Sequence, residues 1–354
     1  MARTLLVCAA LAAAAACGCG TGGGRGRVEL RGAGASFPAA LYKRWFDDYT
    51  AAHPQVRIAY EATGSGAGVK AVLAGAVDFG ASDAAMTEEE MAKVKHGVLL
   101  LPMTAGNVVL AYNLPGVKTL RLSRAAYVGI FRGTVTRWDD PLIRAANPDL
   151  SLPDRPVRVV VRGDNSGTTF AFTTHLAAVS KEFAAGPGVG ARVKWPTGTA
   201  SDGSAGLIHQ VHETEGAIGY AEQGLAEHAG LPAAVLENRA GRYIAPTPAA
   251  AQEALASLDL FEDLIGWIPD PAPAAAYPIV TFTWLICYKV YDDPGKAHAL
   301  RDLLGYCLDE GQDRAAPLGY VPLPRKVVRR VRTLVKQIHG REARKDAPAG
   351  GGAR

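Results

Sequence analysis

The sequence predicts an α/β fold, and three observations predict it. Strand-like and helix-like segments alternate along nearly the whole body of the chain. Short Gly/Ser/Thr-rich loops stand where helices are expected to open. At 354 residues, 48% hydrophobic and 20% charged, the chain is long enough to bury two separate cores.

Taken in order, Pro38 to Thr50 sets Leu41, Tyr42, Trp45, Phe46 and Tyr49 on one helical face, and Pro38 suits a helix start. Val56 to Tyr60 alternates as a strand. Val69, Val72, Leu73 and Ala76 fit a short helix, and Val77 to Ala81 a short strand. Thr87 and Glu90 have the spacing of a capping box before the next helix. Asn107 to Asn113 and Val157 to Val161 read as buried strands. Thr168 to Ser180 suits a helix with Phe172, Leu176 and Val179 inward. Gly203 to Val211 reads as another glycine-entered helix and Ile218 to Tyr220 as a short strand. The Pro/Ala-rich stretch from Asp270 to Pro278 suits a linker. Ile279 to Tyr288, rich in β-branched and aromatic residues, is a strong strand. Leu300, Leu303, Leu304, Cys307 and Leu308 mark a late helix, and Val327, Val328, Val331, Leu334, Val335 and Ile338 the last. Arg325, Lys326, Arg329, Arg330, Arg332 and Lys336 crowd that last helix and read as its solvated face, with a membrane or partner face as the alternative.

The N-terminus differs in kind. Arg3 precedes an apolar run from Leu5 to Ala16 that is too short to span a bilayer but suits a signal peptide. Ala14-Ala15-Ala16-Cys17 is similar to a bacterial lipoprotein cleavage box, although Ala14 stands where Leu is usual. Residues 1–16 are thus expected to be a signal peptide, Cys17 the lipidated first residue, and 17–27 a flexible tether. An ordinary leader cut nearby is the alternative. Residues 341–354 are expected to be a disordered tail. Only Cys287 and Cys307 lie in the body, as two buried free thiols or, in an oxidising compartment, a disulfide. The net charge of +4 is mild, and no Arg/Lys stripe interleaves with aromatics, so nucleic acid is not an expected partner.

Chemistry concentrates in three loops: Gly32-Ala33-Gly34-Ala35-Ser36-Phe37-Pro38, Thr63-Gly64-Ser65-Gly66-Ala67-Gly68 and Arg162-Gly163-Asp164-Asn165-Ser166-Gly167-Thr168-Thr169. Free N–H groups at a helix N-terminus attract anions, and glycines allow close approach. Hydroxyls add donors and Arg162 adds a fixed positive fork. Three such loops point to a small tetrahedral oxyanion held from several sides. Each loop alone reads as an ordinary turn or cap.

These loops, with Val77-Asp78-Phe79-Gly80-Ala81-Ser82-Asp83 and Gly216-Ala217-Ile218-Gly219-Tyr220, closely resemble the periplasmic phosphate-binding proteins of ABC-type phosphate importers. The resemblance runs from about Leu30 to Ile338. It implies a two-lobed periplasmic-binding-protein-like fold with a strand hinge and a central ligand cleft. Lobe one would comprise 28–104 and 276–340 and lobe two 105–275, with crossings near Met103–Asn107 and Ala275–Pro278. It further implies a phosphate site: Ser36 and Phe37 supplying a hydroxyl and an N–H, Ser65 at a second helix start, and Asp83 across the site. Arg162 would pair with the anion, oriented by Asp164, while Ser166, Gly167 and Thr168 donate from the third helix start. Ser36 stands where Thr is also used, and Asn165 where Gly is common, which asks Asn165 to adopt that glycine's backbone.

Asp83 supplies the logic of selection. Phosphate near neutral pH carries a proton it can donate to an ionised carboxylate, whereas sulfate has none and meets a like charge. The expected partners are inorganic phosphate, the importer's membrane permease and, through Cys17, the membrane; the chain is expected to be a monomer without metal or organic cofactor. The alternatives are another oxyanion, a sensory role, or a secreted phosphoester hydrolase. Against the last, Gly163-Asp164-Asn165-Ser166-Gly167 lacks the spacing of a nucleophile elbow. His209 and His212 lack a metalloprotease order, and the nucleotide-binding glycine patterns are missing.

Overall fold

The structure is a computed structural model, and it describes residues 27–258 and 264–341. The expected signal peptide, the lipidation site at Cys17 and nearly all of the expected tail lie outside the described residues.

The frame is an eight-stranded mixed sheet. Its strands are β1 (Val28–Gly34), β2 (Val56–Glu61), β3 (Phe79–Ser82), β4 (Val98–Tyr112), β5 (Arg158–Arg162), β6 (Thr199–Ser201), β7 (Ala217–Glu222) and β8 (Val280–Tyr288). Their spatial order is β2-β1-β3-β8-β4-β7-β5-β6. β1 runs parallel to β2 and β3, and β5 parallel to β6 and β7. Between these two parallel groups lie β8 and β4, antiparallel to each other. β4 is buried along its whole length and serves both groups. Val98 to Asn107 pairs with β8, and Val108 to Tyr112 pairs with β7. One strand thus threads both halves of an α/β sheet, the two-lobed binding-protein arrangement.

The strand expected over Asn107 to Asn113 is only the distal part of β4. Pro102 and Gly106 mask the rest, because Pro cannot donate to a central ladder. The ladder accommodates Pro102 through a register shift: Trp284 pairs with Pro102 and Thr283 with Thr104, leaving Met103 extra.

Six helices matter most for the site and its frame: α1 (Ala39–Ala52), α2 (Ser65–Leu73), α3 (Gly167–Val179), α4 (Gly203–Glu213), α5 (Pro294–Leu308) and α6 (Arg325–Val335). The face of α1 read from its spacing, Leu41, Tyr42, Trp45, Phe46 and Tyr49, is the buried one. Trp45 also donates its ring N–H to the carbonyl of Gly311 at 2.6 Å. The Thr87–Glu90 capping box forms in both directions. On α6, Val327, Val331 and Val335 face inward while Arg325, Lys326, Arg329 and Arg332 are exposed. Cys287 and Cys307 are both free and buried, and burial pushes both thiols up.

The stretch Asp270 to Pro278 carries no helix or strand, but it is not a slack linker. Ala276 and Tyr277 are fully buried. Asn238 Nδ2 donates to the carbonyls of Ala274 and Ala276 at 3.1 and 3.0 Å. Its proline and alanine content hid the anchoring tyrosine. No described helix is long and apolar enough to cross a membrane.

Four parallel strands, β1, β2, β5 and β6, each hand the chain from their C-terminal end to a helix: α1, α2, α3 and α4. In open α/β sheets that edge is where ligands bind.

Candidate functional site

On one side of the cleft, β1 ends at Gly34, whose φ of 143° turns the chain into the Ser36–Phe37 loop. A Cβ there would overlap the backbone of Ala81, so only glycine fits. Phe37 is fully buried and its carbonyl accepts from Tyr320 Oη at 2.6 Å, which fixes the start of α1. Ser65 opens α2 and is buried. Its Oγ accepts the N–H of Asp83 at 3.2 Å, so the second loop positions the carboxylate that follows β3.

On the other side, Arg162 closes β5 and is 4% exposed. Asp164 grips its guanidinium as a two-pronged fork: Nε and Nη2 each donate at 2.6 Å. Asp164 also accepts the N–H of Gly203 at 3.2 Å, tying the fork to the start of α4. Burial pulls the Asp164 carboxyl up, but the hydrogen bonds and charge of Arg162 win and hold it below its usual value. The N–H of Arg162 donates to Tyr220 Oη at 3.0 Å. Ser166 is the N-cap of α3, accepting from the N–H of Thr169 at 3.1 Å, so its own hydroxyl hydrogen is left for another acceptor.

The two sides touch. The N–H of Gly66 donates to the carbonyl of Asn165 at 2.9 Å. Thr168 Oγ1 reaches Asp83 Oδ2 at 3.4 Å. Gly167 lies directly against Ser65 and Asp83. Ser36 and Ser204 meet at 3.1 Å. Of the nine residues proposed from sequence, these contacts link Ser36, Ser65, Asp83, Arg162, Asp164, Gly167 and Thr168 across the two sides, while Phe37 and Ser166 are their chain neighbours and make contacts of their own elsewhere. Asn165 does not take a left-handed backbone: among the described residues only His96 and Leu264 do so without being glycine. Its side chain instead occupies the space that Gly66 leaves open.

Asp83 is 1% exposed and is the centre of the cluster. Burial pushes its carboxyl up to about 6, against Thr283, Arg162, Thr168 and Ser65, which all favour the ionised form. At neutral pH it is mostly an acceptor, held between the starts of α2 and α3 and influenced by the positive charge of Arg162.

Four contributors escaped the sequence reading. Thr283 of β8 donates its hydroxyl to Asp83 Oδ1. It sits in a run of β-branched residues, where nothing sets one threonine apart. Tyr220 joins Thr169 at 2.7 Å and braces Arg162. Ser204 and Glu222 stand beside Arg162. Ser204 had a usable signal, because Asp202-Gly203-Ser204 opens a glycine-entered helix like the other three loops.

Thr283→Val should lift the Asp83 carboxyl above about 6, since the lost bond favours the ionised form. It should also destabilise the fold by about 1–3 kcal/mol, because a buried oxygen loses its donor. Carboxyl carbon resonances against pH and a denaturant titration check both; an unmoved titration would show that Thr283 does not set this carboxylate.

Residues 19–310 match the PBP superfamily domain. The phosphate-binding protein PstS of Methanocaldococcus jannaschii is 37% identical over 327 residues, covering 85% of this chain and 84% of that protein. The chain belongs to the PstS family of phosphate-binding proteins. PstS of Xylella fastidiosa, another family member, is 34% identical over 308 residues, covering 86% of this chain and 84% of its own. A phosphate-binding protein from Stenotrophomonas maltophilia shares the fold with a TM-score of 0.70 at 22% identity, over 86% of this chain and 93% of that one. For a PstS-type chain, the edge where the four helices begin is thus both the ligand edge of the architecture and the place where this sequence gathers its buried polar groups.

Proposed function

We propose that this protein binds inorganic phosphate outside the cytoplasmic membrane by closing two lobes over it, and delivers it to an ABC-type phosphate importer. No bond is made or broken, so it is a carrier and not an enzyme. The observation that carries the reading is Asp83: a buried carboxylate between the starts of two helices, α2 and α3, and within electrostatic reach of the buried Arg162. An anion site has no use for an acceptor unless its ligand brings a proton. Phosphate does so at neutral pH and sulfate does not.

In this reading Ser36, Phe37, Ser65, Ser166, Gly167 and Thr168 donate to the anion and Arg162 pairs with it. Asp164 holds the guanidinium in plane. Lobe one is 28–104 with 276–340, and lobe two is 105–275. The change of partner along β4 between Asn107 and Val108 supports a hinge there, as does the pairing of Val280 with Asn107. Lipidation at Cys17 would tether a monomeric carrier near its permease.

The test is calorimetry on protein lacking residues 1–26, unfolded and refolded to strip bound anion, then titrated with phosphate and with excess sulfate. One phosphate per chain and no heat from sulfate are expected. A folded protein that gives no heat with phosphate would overturn the assignment.

A further inference from the structure

Ser204, near the start of α4, is a hydroxyl in the cleft for which the anion site has no assigned use. It is 1% exposed. Arg162 Nη1 donates to its Oγ at 3.1 Å. The same Oγ lies 3.1 Å from Ser36 Oγ, and the N–H of Ser204 donates to Ser36 Oγ at 3.2 Å. Ser36 and Ser204 follow strands from opposite groups of the sheet, so these contacts exist only while the cleft is shut. Behind Ser204, at the end of β7, stands Glu222, 5% exposed. The Ser204 hydroxyl lies close enough to the Glu222 carboxyl to favour the ionised form. Its Oε2 has no hydrogen-bond partner among the described residues. The titratable and charged groups facing it are Arg162 from β5, Asp83 after β3 and Tyr320 ahead of α6.

We propose that Ser204 and Glu222 form a closed-state latch: Ser204 joins Ser36 across the cleft to Arg162, and the Glu222 carboxyl fixes the Ser204 hydroxyl from behind. Both are positioning residues, acting on the anion through Ser36 and Arg162. The inference rests on the phosphate reading above.

The bare Oε2 decides which form of Glu222 suits the latch. A buried carboxylate oxygen without a donor is costly, and a neutral acid far less so. Burial accordingly lifts Glu222 to about 8, with Ser204 and Arg162 opposing and Asp83 reinforcing. Below that pH the acid is neutral and the latch is set. As pH rises through about 8, ionisation adds a second buried negative charge beside Asp83 and the bound anion, and the closed state loses ground.

The experiment compares phosphate affinity at pH 7 and pH 9 for wild type and Glu222→Gln, and the phosphate release rate at pH 7 for wild type and Ser204→Ala. Wild type should weaken about tenfold more than Glu222→Gln between the two pH values, as linkage to one proton requires. The ionisation of phosphate itself is common to both proteins and cancels in the comparison. Ser204→Ala should release phosphate about tenfold faster, the scale of one or two lost hydrogen bonds. Parallel pH profiles for wild type and Glu222→Gln would overturn the latch, as would an unchanged release rate in Ser204→Ala. If Glu222→Gln does not fold, the release rate alone decides. Wild type that binds no phosphate at either pH overturns the functional reading instead, which separates the two failures.

Discussion

Asp83→Asn is expected to admit sulfate. In the wild-type site a sulfate oxygen would lie near an ionised, buried acceptor with no proton to offer it, and both carry negative charge. Leaving a buried polar group unpaired in this way can cost a factor of about 10⁴ in discrimination. The substitution removes the charge and presents an amide that donates to sulfate as readily as it accepts from phosphate. The ratio of phosphate to sulfate affinity should therefore collapse by about a hundredfold or more, chiefly through a gain in sulfate binding. The pH dependence runs the same way in the unmutated protein. The Asp83 carboxyl is raised to about 6, so it is mostly ionised at pH 7 and mostly protonated at pH 5. A protonated Asp83 is a donor, and sulfate should begin to bind as pH falls through about 6. Competition titrations at pH 7 and pH 5 on both proteins check this. An Asp83→Asn protein that rejects sulfate as firmly as wild type would show that selection lies elsewhere in the ring of donors.

The sequence made this site legible because its parts are local. A helix start needs a glycine, a hydroxyl and a break in hydrophobic pattern within a few residues, and all three loops carry them in the open. Arg162 and Asp164 are two residues apart, so their fork is also a short-range feature. Thr283 and Glu222 were invisible for the opposite reason. Each reaches the site from the end or middle of a buried strand, where its neighbours are chosen for packing, and only the sheet order brings β8 and β7 alongside Asp83 and Arg162. The fold class came from alternation of periods, which survives single exceptions. The long β4 did not, because Pro102 and Gly106 break its pattern, and only the register shift at Met103 in its pairing with β8 lets the strand run on past Pro102.

Gly167→Ala is expected to leave the protein folded and cripple phosphate binding. A Cβ at this position would stand 2.7 Å from Asp83 Cβ, 2.8 Å from Asp83 N and 2.5 Å from Ser65 Oγ. Two of those atoms belong to a residue anchored by Ser65 and Thr283, and one of them is backbone, so neither can yield cheaply. The clash lies across the cleft, between the start of α3 and the loop after β3, and relaxes as soon as the two sides part. Within its own helix the substitution is benign: position 167 opens α3 without a positive φ, and alanine favours helix more than glycine does. The cost should therefore fall on closure and not on folding. Overpacking of this kind costs about 1–3 kcal/mol, which corresponds to a loss of about 5- to 150-fold in phosphate affinity. The thermal midpoint without ligand should stay within a few degrees of wild type or rise, and small-angle scattering should show contraction only at phosphate concentrations raised by the same factor. A Gly167→Ala protein that binds phosphate as tightly as wild type would mean that the anion does not need the two sides this close, and the contact of Thr168 with Asp83 would lose its place in the binding step.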